Sequence, residues 1–416
     1  MKLLVQEFLE THSLKELQEQ HGVYASFSQS GHKFSLNYDQ IEAKEGDTLA
    51  QECRGLILAC EDGVSLKGQS SVNAQGKLSY DHLSPGKTQI LAFPMRRFFN
   101  HGQGSAAEID FSDPKLQILE KLDGTLTIVY YDPIKGDWCV ATRSVPEADI
   151  PLDNGIFTFR TLFEKAMTET CGLSWSEFVL KLDIGYTYCF ELTTPYNRIV
   201  VAYPESRVTL LAVRELATLK ELDFNKNYVS THSQIERLRD VVPLVESYSY
   251  SSLEETLEWI SSLNPMEHEG VVFRSGEDRV KAKNAAYVAF NKIRDVVSSE
   301  RGIMEVILCE RDDDVIPMLP EEIAKNMLKL KAGLQSAIRE YDFAYSCLKY
   351  AAACVLPDDK KTFAIMVTRD KKLWSAPMFQ MYDGKAKNMK DFIARNRKEG
   401  SWSNSFLDKM LEIAKT

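Results

Sequence analysis

The feature that most constrains this chain is a change of hydrophobic period near residue 297. Upstream of it, short runs alternate apolar and polar residues: HKFSLNY, RGLILAC, TLTIVYYD, WCVATRS, YTYCFELTT, RVTLLAVREL, EGVVFRS and RVKAK. That is the period of strands whose two faces meet different environments, and turn residues and amphipathic segments separate the runs. Downstream, PEEIAKNMLKLKAGLQSAIREYDFAYSCLKYAAACVL spaces its apolar residues by three and four, the period of a helix with one buried face. One element type cannot satisfy both periods. The pattern predicts an α+β chain: a domain of antiparallel sheets over residues 1–296, then a mostly α-helical domain over 297–416. A helix, AAYVAFNKIRDVVSS, runs out of the last strand across the junction, and another is expected around 156 to 181.

The 416 residues are 44% apolar, enough to fill two cores. No run of 18 apolar residues occurs, so no membrane partner is expected. The start, MKLLVQEFLETHSLKELQEQHG, reads as an amphipathic helix carrying acids throughout, unlike a signal or transit peptide, so a cytoplasmic protein is expected. The eight cysteines form no C-x-x-C pair and lie mostly in apolar stretches, which predicts buried, reduced thiols and no zinc site. A net charge of −10 argues against indiscriminate nucleic-acid binding, yet DGKAKNMKDFIARNRKE (383–399) and TRDKKLW (368–374) are locally basic. Solvated helix faces would look the same.

One string is not explained by strand chemistry. EKLDGTL (120–126) enters the run TLTIVYYDPIKGDWCVATRS, a hairpin with DPIKGD as its turn. Asp123-Gly124 reads as a turn pair, because Gly accepts positive φ and Asp bonds its own backbone, but neither needs Lys121 beside it. The Gly-Lys-Thr of SPGKTQI (84–90) is no phosphate loop: the glycine required five residues before Gly86 is Asp81. Around Lys121 stand, in order, ECRGLIL with Arg54, RRFFN with Arg97 and Phe99, Arg143, CFELTTPYNRIVVAYP with Glu191, EGVVFRS with Glu269, and RVKAKN with Lys281 and Lys283. Taken singly, the acids and Arg54 fit solvent-facing strand positions, and the two lysines fit an edge strand's protective charges.

Taken in order, these segments resemble the covalent nucleotidyltransferases, the polynucleotide ligases and mRNA capping enzymes. They are most similar to the RNA ligase 1 family of bacteriophage tRNA-repair enzymes, through ECRG, RRFFN, EKLDGTL and PYNRIVVAY, over residues 30 to 300. DDKKTFAIMV extends the likeness weakly into the helical region. The resemblance implies a nucleotidyltransferase fold, ATP as nucleotide, and Mg²⁺ for which Mn²⁺ substitutes. It also implies RNA partners with 5′-phosphate and 3′-hydroxyl ends, such as broken tRNA, and an end-healing kinase and phosphatase acting upstream.

The chemistry gives the residues work. Lysine is almost wholly protonated at neutral pH and attacks phosphorus only as the free amine, so the nucleophile Lys121 needs cationic neighbours. Lys281 and Lys283 share one strand face and, with a metal, would depress the Lys121 pKa and offset charge on the α-phosphate and pyrophosphate. The resemblance gives ribose to Glu191 and the hydrated metal to Glu269. It gives phosphates or adenylate to Arg54, Arg97 and Arg143, with Phe99 as an adenine contact or a core residue. Asp313 and Asp314 in RDDDV fall where acids face the metal's water shell, or form a solvated acidic turn.

The chain departs from the family where Arg97 and Arg143 replace lysines, and where Leu36 of FSLNY stands for a base-contacting aromatic. Three alternatives stay open: a DNA ligase, a capping-type enzyme, and a catalytically silent RNA-binding relative. The first two would continue into an OB barrel rather than helices.

Overall fold

The fold is that of a computed structural model. The structure describes residues 2–61, 71–72, 78–79, 83–152, 155–223, 233–316, 319, 321–357, 359–369, 374–396 and 402–416. The chain divides into two compact units, residues 1–288 and 289–416.

The first unit opens with two helices, Leu4–Leu9 and Leu14–His21, where the sequence pattern suggested one. Ser13 makes the break. Its hydroxyl accepts the Glu16 N–H, and its own N–H donates to the Glu16 carboxylate at 2.7 Å, a reciprocal cap that starts a new helix.

Three main sheets follow. The first has strands Val23–Phe27, Lys33–Tyr38, Arg54–Cys60 and Thr88–Ala92 in that spatial order. Thr88 of the Gly-Lys-Thr string therefore opens a strand, whereas a phosphate loop would open a helix. The second sheet has the order Asp137–Thr142, Thr125–Asp132, Tyr186–Thr193, Arg207–Glu215. The third has Ser247–Tyr248, Gln117–Glu120, Gly270–Ser275, Asp278–Lys283 and Phe99–Asn100. The last two strands pair in parallel, and the other described strand pairs are antiparallel.

The second sheet packs its core face on helix Phe159–Cys171, with Phe163, Met167, Phe178 and Phe190 fully buried. The helical stretch expected around 156 to 181 is interrupted by Gly172 at φ +71°, and a short helix, Trp175–Val179, follows. On the third sheet, Val271, Phe273, Val280 and Ala282 are buried with Ile260 of helix Leu253–Ser262. Alternation then sends Lys281 and Lys283 to the opposite face. Helix Ala285–Val297 leaves this last strand directly.

The hairpin of Thr125–Asp132 and Asp137–Thr142 forms as its sequence predicts. Gln117–Glu120 belongs to the third sheet and Thr125–Asp132 to the second, so residues 121–124 cross between sheets. The Asp-Gly pair is a crossing, not a hairpin turn.

The second unit is helical: its longest helix, Glu321–Val355, shares a core with the helices Glu300–Leu308, Lys360–Arg369, Ser375–Tyr382, Met389–Arg395 and Asn404–Lys415. Met304, Met327, Phe363, Met378, Met389 and Met410 are fully buried there. All eight cysteines are free. Cys53, Cys60, Cys139 and Cys189 are buried as expected, but Cys347 and Cys354 are exposed on the longest helix. Among the described residues no helix is long and apolar enough to cross a membrane.

Candidate active site

The crossing at residues 121–124 is tied down at every residue but one. The Lys121 N–H extends the third sheet by donating to the Gly270 carbonyl at 2.9 Å. Asp123 is buried; its Oδ2 accepts the N–H groups of Val200 and Val201, each at 2.8 Å, and its Oδ1 accepts the Tyr287 hydroxyl at 2.6 Å. Its own N–H donates to the Tyr203 hydroxyl. The Gly124 N–H donates to Glu191 Oε1 at 3.1 Å. A carboxylate that accepts three donors fixes its loop, and with it the place from which Lys121 projects.

Lys121 meets the buried Glu269. Its Nζ lies 2.7 Å from Glu269 Oε2, and Lys283 Nζ lies 2.7 Å from Oε1. Gly270 pairs with Lys283 in the sheet register, which places the two lysines on either side of one carboxylate. Lys281 makes no ion pair among the described residues, and burial followed by the charges of Lys283, Lys121 and Arg54 brings its pKa down to about 8. Burial pushes Glu191 up to about 7; Lys121 and Arg54 oppose this, and Glu269 adds to it.

Arg54 and Arg143 are brought together by a glycine. Gly55 has φ +82°, and a Cβ there would stand 3.1 Å from the Arg143 Cα, so only glycine lets the two backbones approach this closely. Burial lowers the Arg54 pKa, and its Nη1 is buried with no hydrogen-bond partner. Arg97 is engaged elsewhere: Nη1 donates to the Ala43 carbonyl at 3.1 Å, and its guanidinium lies over the rings of Tyr38 and Phe99 at 4.4 and 5.0 Å. Phe99 is 5% exposed, and Leu36 is fully buried in the first sheet's core. A cavity of about 610 Å³ borders the crossing through Glu120 and Leu122, with Thr193, Tyr203, Arg207 and Glu246 also lining it.

Sequence reasoning missed Asp123 as the acceptor that holds the loop, along with Tyr203 and Tyr287 as its partners. Asp-Gly looked sufficient as a turn. The usable signal was the tyrosine four residues after Lys283, whose ring lies 5.6 Å from Lys283 Nζ. Asp313 belongs to the helical unit, in the short helix Asp312–Val315, where its exposed carboxylate pairs with Lys331 at 2.9 Å. The Asp314 side chain lies outside the described part of the structure, as do Lys371, Lys372 and Arg397 of the basic clusters.

Among the described residues no three His, Cys, Asp or Glu side chains gather as a metal cage. The donor set still fits a hard, hydrated cation, because Glu269 is close enough to raise the cost of ionising Glu191, and magnesium needs few carboxylates.

No family model matches the chain. It is 24% identical over 301 residues to an RNA ligase of Rhodothermus phage RM378, a match covering 58% of this chain and 65% of the phage protein. The chain is similar in sequence to RNA ligases. A second relative, from Autographa californica nuclear polyhedrosis virus, is provisionally named a bifunctional polynucleotide kinase/RNA ligase; it is 23% identical over 296 residues, covering 68% of this chain and 37% of the viral protein. In both cases less than two thirds of the relative's own length is matched. An archaeal ATP-dependent RNA ligase of known structure overlays with a TM-score of 0.40 and 15% identity, over 69% of this chain and 64% of its own. The segments from Arg54 to Lys283 that resemble those of RNA ligases fall within the first unit.

Proposed function

We propose that the chain is an ATP-dependent RNA ligase joining 5′-phosphate to 3′-hydroxyl ends, with Lys121 as its nucleophile. The observation that carries this reading is the convergence on Glu269 of Lys121 and Lys283, each at 2.7 Å, with Lys281 and Arg54 nearby and without an ion pair among the described residues. A merely solvated lysine would not sit on a buried carboxylate among surplus cations.

In the nucleotide-free arrangement the Lys121 amine is held by Glu269 and cannot attack. A triphosphate placed against Lys281, Lys283, Arg54 and Arg143 presents its α-phosphorus to Nζ. Nζ, drawn off Glu269, yields its protons to solvent and the leaving pyrophosphate; its lone pair forms the P–N bond as the bond to the bridging oxygen breaks, and pyrophosphate leaves with the charge those cations offset. AMP then passes to the RNA 5′-phosphate, and the 3′-hydroxyl displaces it. Glu191 accepts from the ribose hydroxyls. Glu269 is assigned to hydrated Mg²⁺, with Mn²⁺ as a substitute; bound there, the ion would supply positive charge at the phosphates. Arg97 and Phe99 take part as a packed support under the site. Broken tRNA is the expected RNA, with the basic helical unit choosing it. Upstream kinase and phosphatase chemistry fits a chain whose viral relative carries a kinase in its name.

Incubation with α-labelled ATP and Mg²⁺, followed by denaturing electrophoresis, tests the reading. The wild-type chain should retain label and Lys121→Ala should not; label persisting in Lys121→Ala overturns it.

A further inference from the structure

Among the described residues, Lys281 and Arg54 have no carboxylate to hold them. Lys121 and Lys283 share Glu269, whereas among the described residues Lys281 makes no ion pair and Arg54 Nη1 has no hydrogen-bond acceptor. Like charges left in this state should drift apart into solvent. Both instead lie against the same ring: the Phe98 centroid is 5.1 Å from Arg54 Cζ and 5.4 Å from Lys281 Nζ.

We infer that Phe98 is a positioning residue, which gathers Arg54 and Lys281 on its ring and presents them to the phosphates of the incoming nucleotide. The proposal rests on the ligase reading above. Phe98 stands between Arg97, whose guanidinium lies over the rings of Tyr38 and Phe99, and Phe99, which is buried. Phe99 pairs in parallel with the buried Val280 and Asn100 with Lys281, and the Phe98 ring lies beside that lysine.

A ring suits this task better than a carboxylate would. The face of an aromatic ring attracts cations through its quadrupole but carries no net charge and accepts no strong hydrogen bond. A carboxylate would occupy the N–H groups and repel phosphate. With the ring, the guanidinium and ammonium hydrogens stay available to phosphate oxygens, and the site's positive charge is kept for the substrate.

The test is the rate of lysine adenylylation, measured against ATP concentration and pH, in Phe98→Leu, Phe98→Met and Phe98→Tyr. The two aliphatic replacements keep apolar volume and lose the ring; the tyrosine keeps the ring. The aliphatic variants should be adenylylated about tenfold or more slowly at saturating ATP, and Phe98→Tyr within about threefold of wild type. The groups facing Lys281 are Lys283, Lys121, Arg54 and Glu269, and these variants leave all four in place. Without the ring, charged Lys281 is less favoured, so the alkaline limb of the rate profile should move to lower pH in the aliphatic variants alone. If one aliphatic variant does not fold, as judged by its melt, the other carries the comparison. Wild-type labelling with an unchanged rate and alkaline limb in a folded aliphatic variant overturns the role of Phe98 alone. An aliphatic and a tyrosine variant that are equally slow also overturn it, since shape rather than the ring would then matter. A wild-type chain that takes no label removes the ligase reading and this inference with it.

Discussion

The Tyr287 hydroxyl donates to Asp123 Oδ1 at 2.6 Å, joining the first turn of the helix after the lysine-rich strand to the loop that carries Lys121. Burial, then the Glu269 carboxylate, pushes the tyrosine pKa upward, so the group stays a donor throughout the working pH range. Tyr287→Phe leaves a buried carboxylate oxygen without its donor. We expect it to lower unfolding stability by about 1–3 kcal/mol in urea titrations and to slow adenylylation. A folded variant with wild-type stability and rate would show the bond to be idle.

Gly124 is glycine for want of space. Its φ is not positive, but a Cβ would stand 2.4 Å from the Leu192 carbonyl oxygen and 3.1 Å from Glu191 Cγ. Gly124→Ala must push the crossing away from the strand that bears Glu191. We expect a loss of about 2 kcal/mol or more in thermal melts and little adenylate formed. An alanine variant as stable and as active as wild type would mean that the two strands part cheaply.

The outlines of this molecule were legible wherever a local rule decides them. Alternation marked the strands that carry Glu191 and Lys281, and three- and four-residue spacing marked the helical unit. The hidden parts depend on distant partners. Nothing near Asp123 in sequence announces that Val200, Val201 and Tyr287 converge on it, and Asp-Gly mimics a turn so well that a sheet crossing was not suspected. Phe98 and Phe99 are indistinguishable as letters; only the fold lays one against the cations and buries the other. Ser13 was readable as a cap, yet the amphipathic stripe running through it suggested a single helix.

Glu191 makes stability depend on pH in a direction opposite to that of most carboxylates. Its folded pKa, about 7, lies above the ordinary 4.5, so between those values the folded chain holds a proton that the unfolded chain has released. Folding stability from this group therefore falls as pH rises from about 4.5 to 7 and stays low above that. Glu191→Gln should be more stable than wild type at pH 8, by about 1 kcal/mol or more, and should lose that advantage at pH 4. The same variant should bind ATP less well, because it trades a charged ribose acceptor for a neutral one. A stability difference independent of pH, followed by chemical denaturation across that range, would contradict the assignment.

The basic helical unit should choose the RNA without touching the chemistry of Lys121. Arg395 of helix Met389–Arg395 pairs with Asp391 at 2.9 Å and remains largely exposed, while Lys371, Lys372 and Arg397 bring further charge to the same stretch of sequence. Cations that bind phosphates release counterions, so affinity falls with salt in proportion to the number of phosphates neutralised. Reversing all four charges abolishes that neutralisation and adds repulsion. We expect sealing of a nicked, structured RNA to weaken and the slope of log affinity against log salt to flatten, by roughly 0.7 to 0.9 for each phosphate that is no longer neutralised. Adenylylation by ATP in the absence of RNA should proceed at the wild-type rate, since the groups proposed to form the P–N bond, Lys121, Lys281, Lys283 and Arg54, all precede residue 289. An unchanged salt slope would mean that these cations are only a solvated face. A slope that flattens together with a loss of adenylylation would place part of the metal or nucleotide site in the helical unit, and Asp313→Ala, assayed for its metal requirement, would then be the variant to examine.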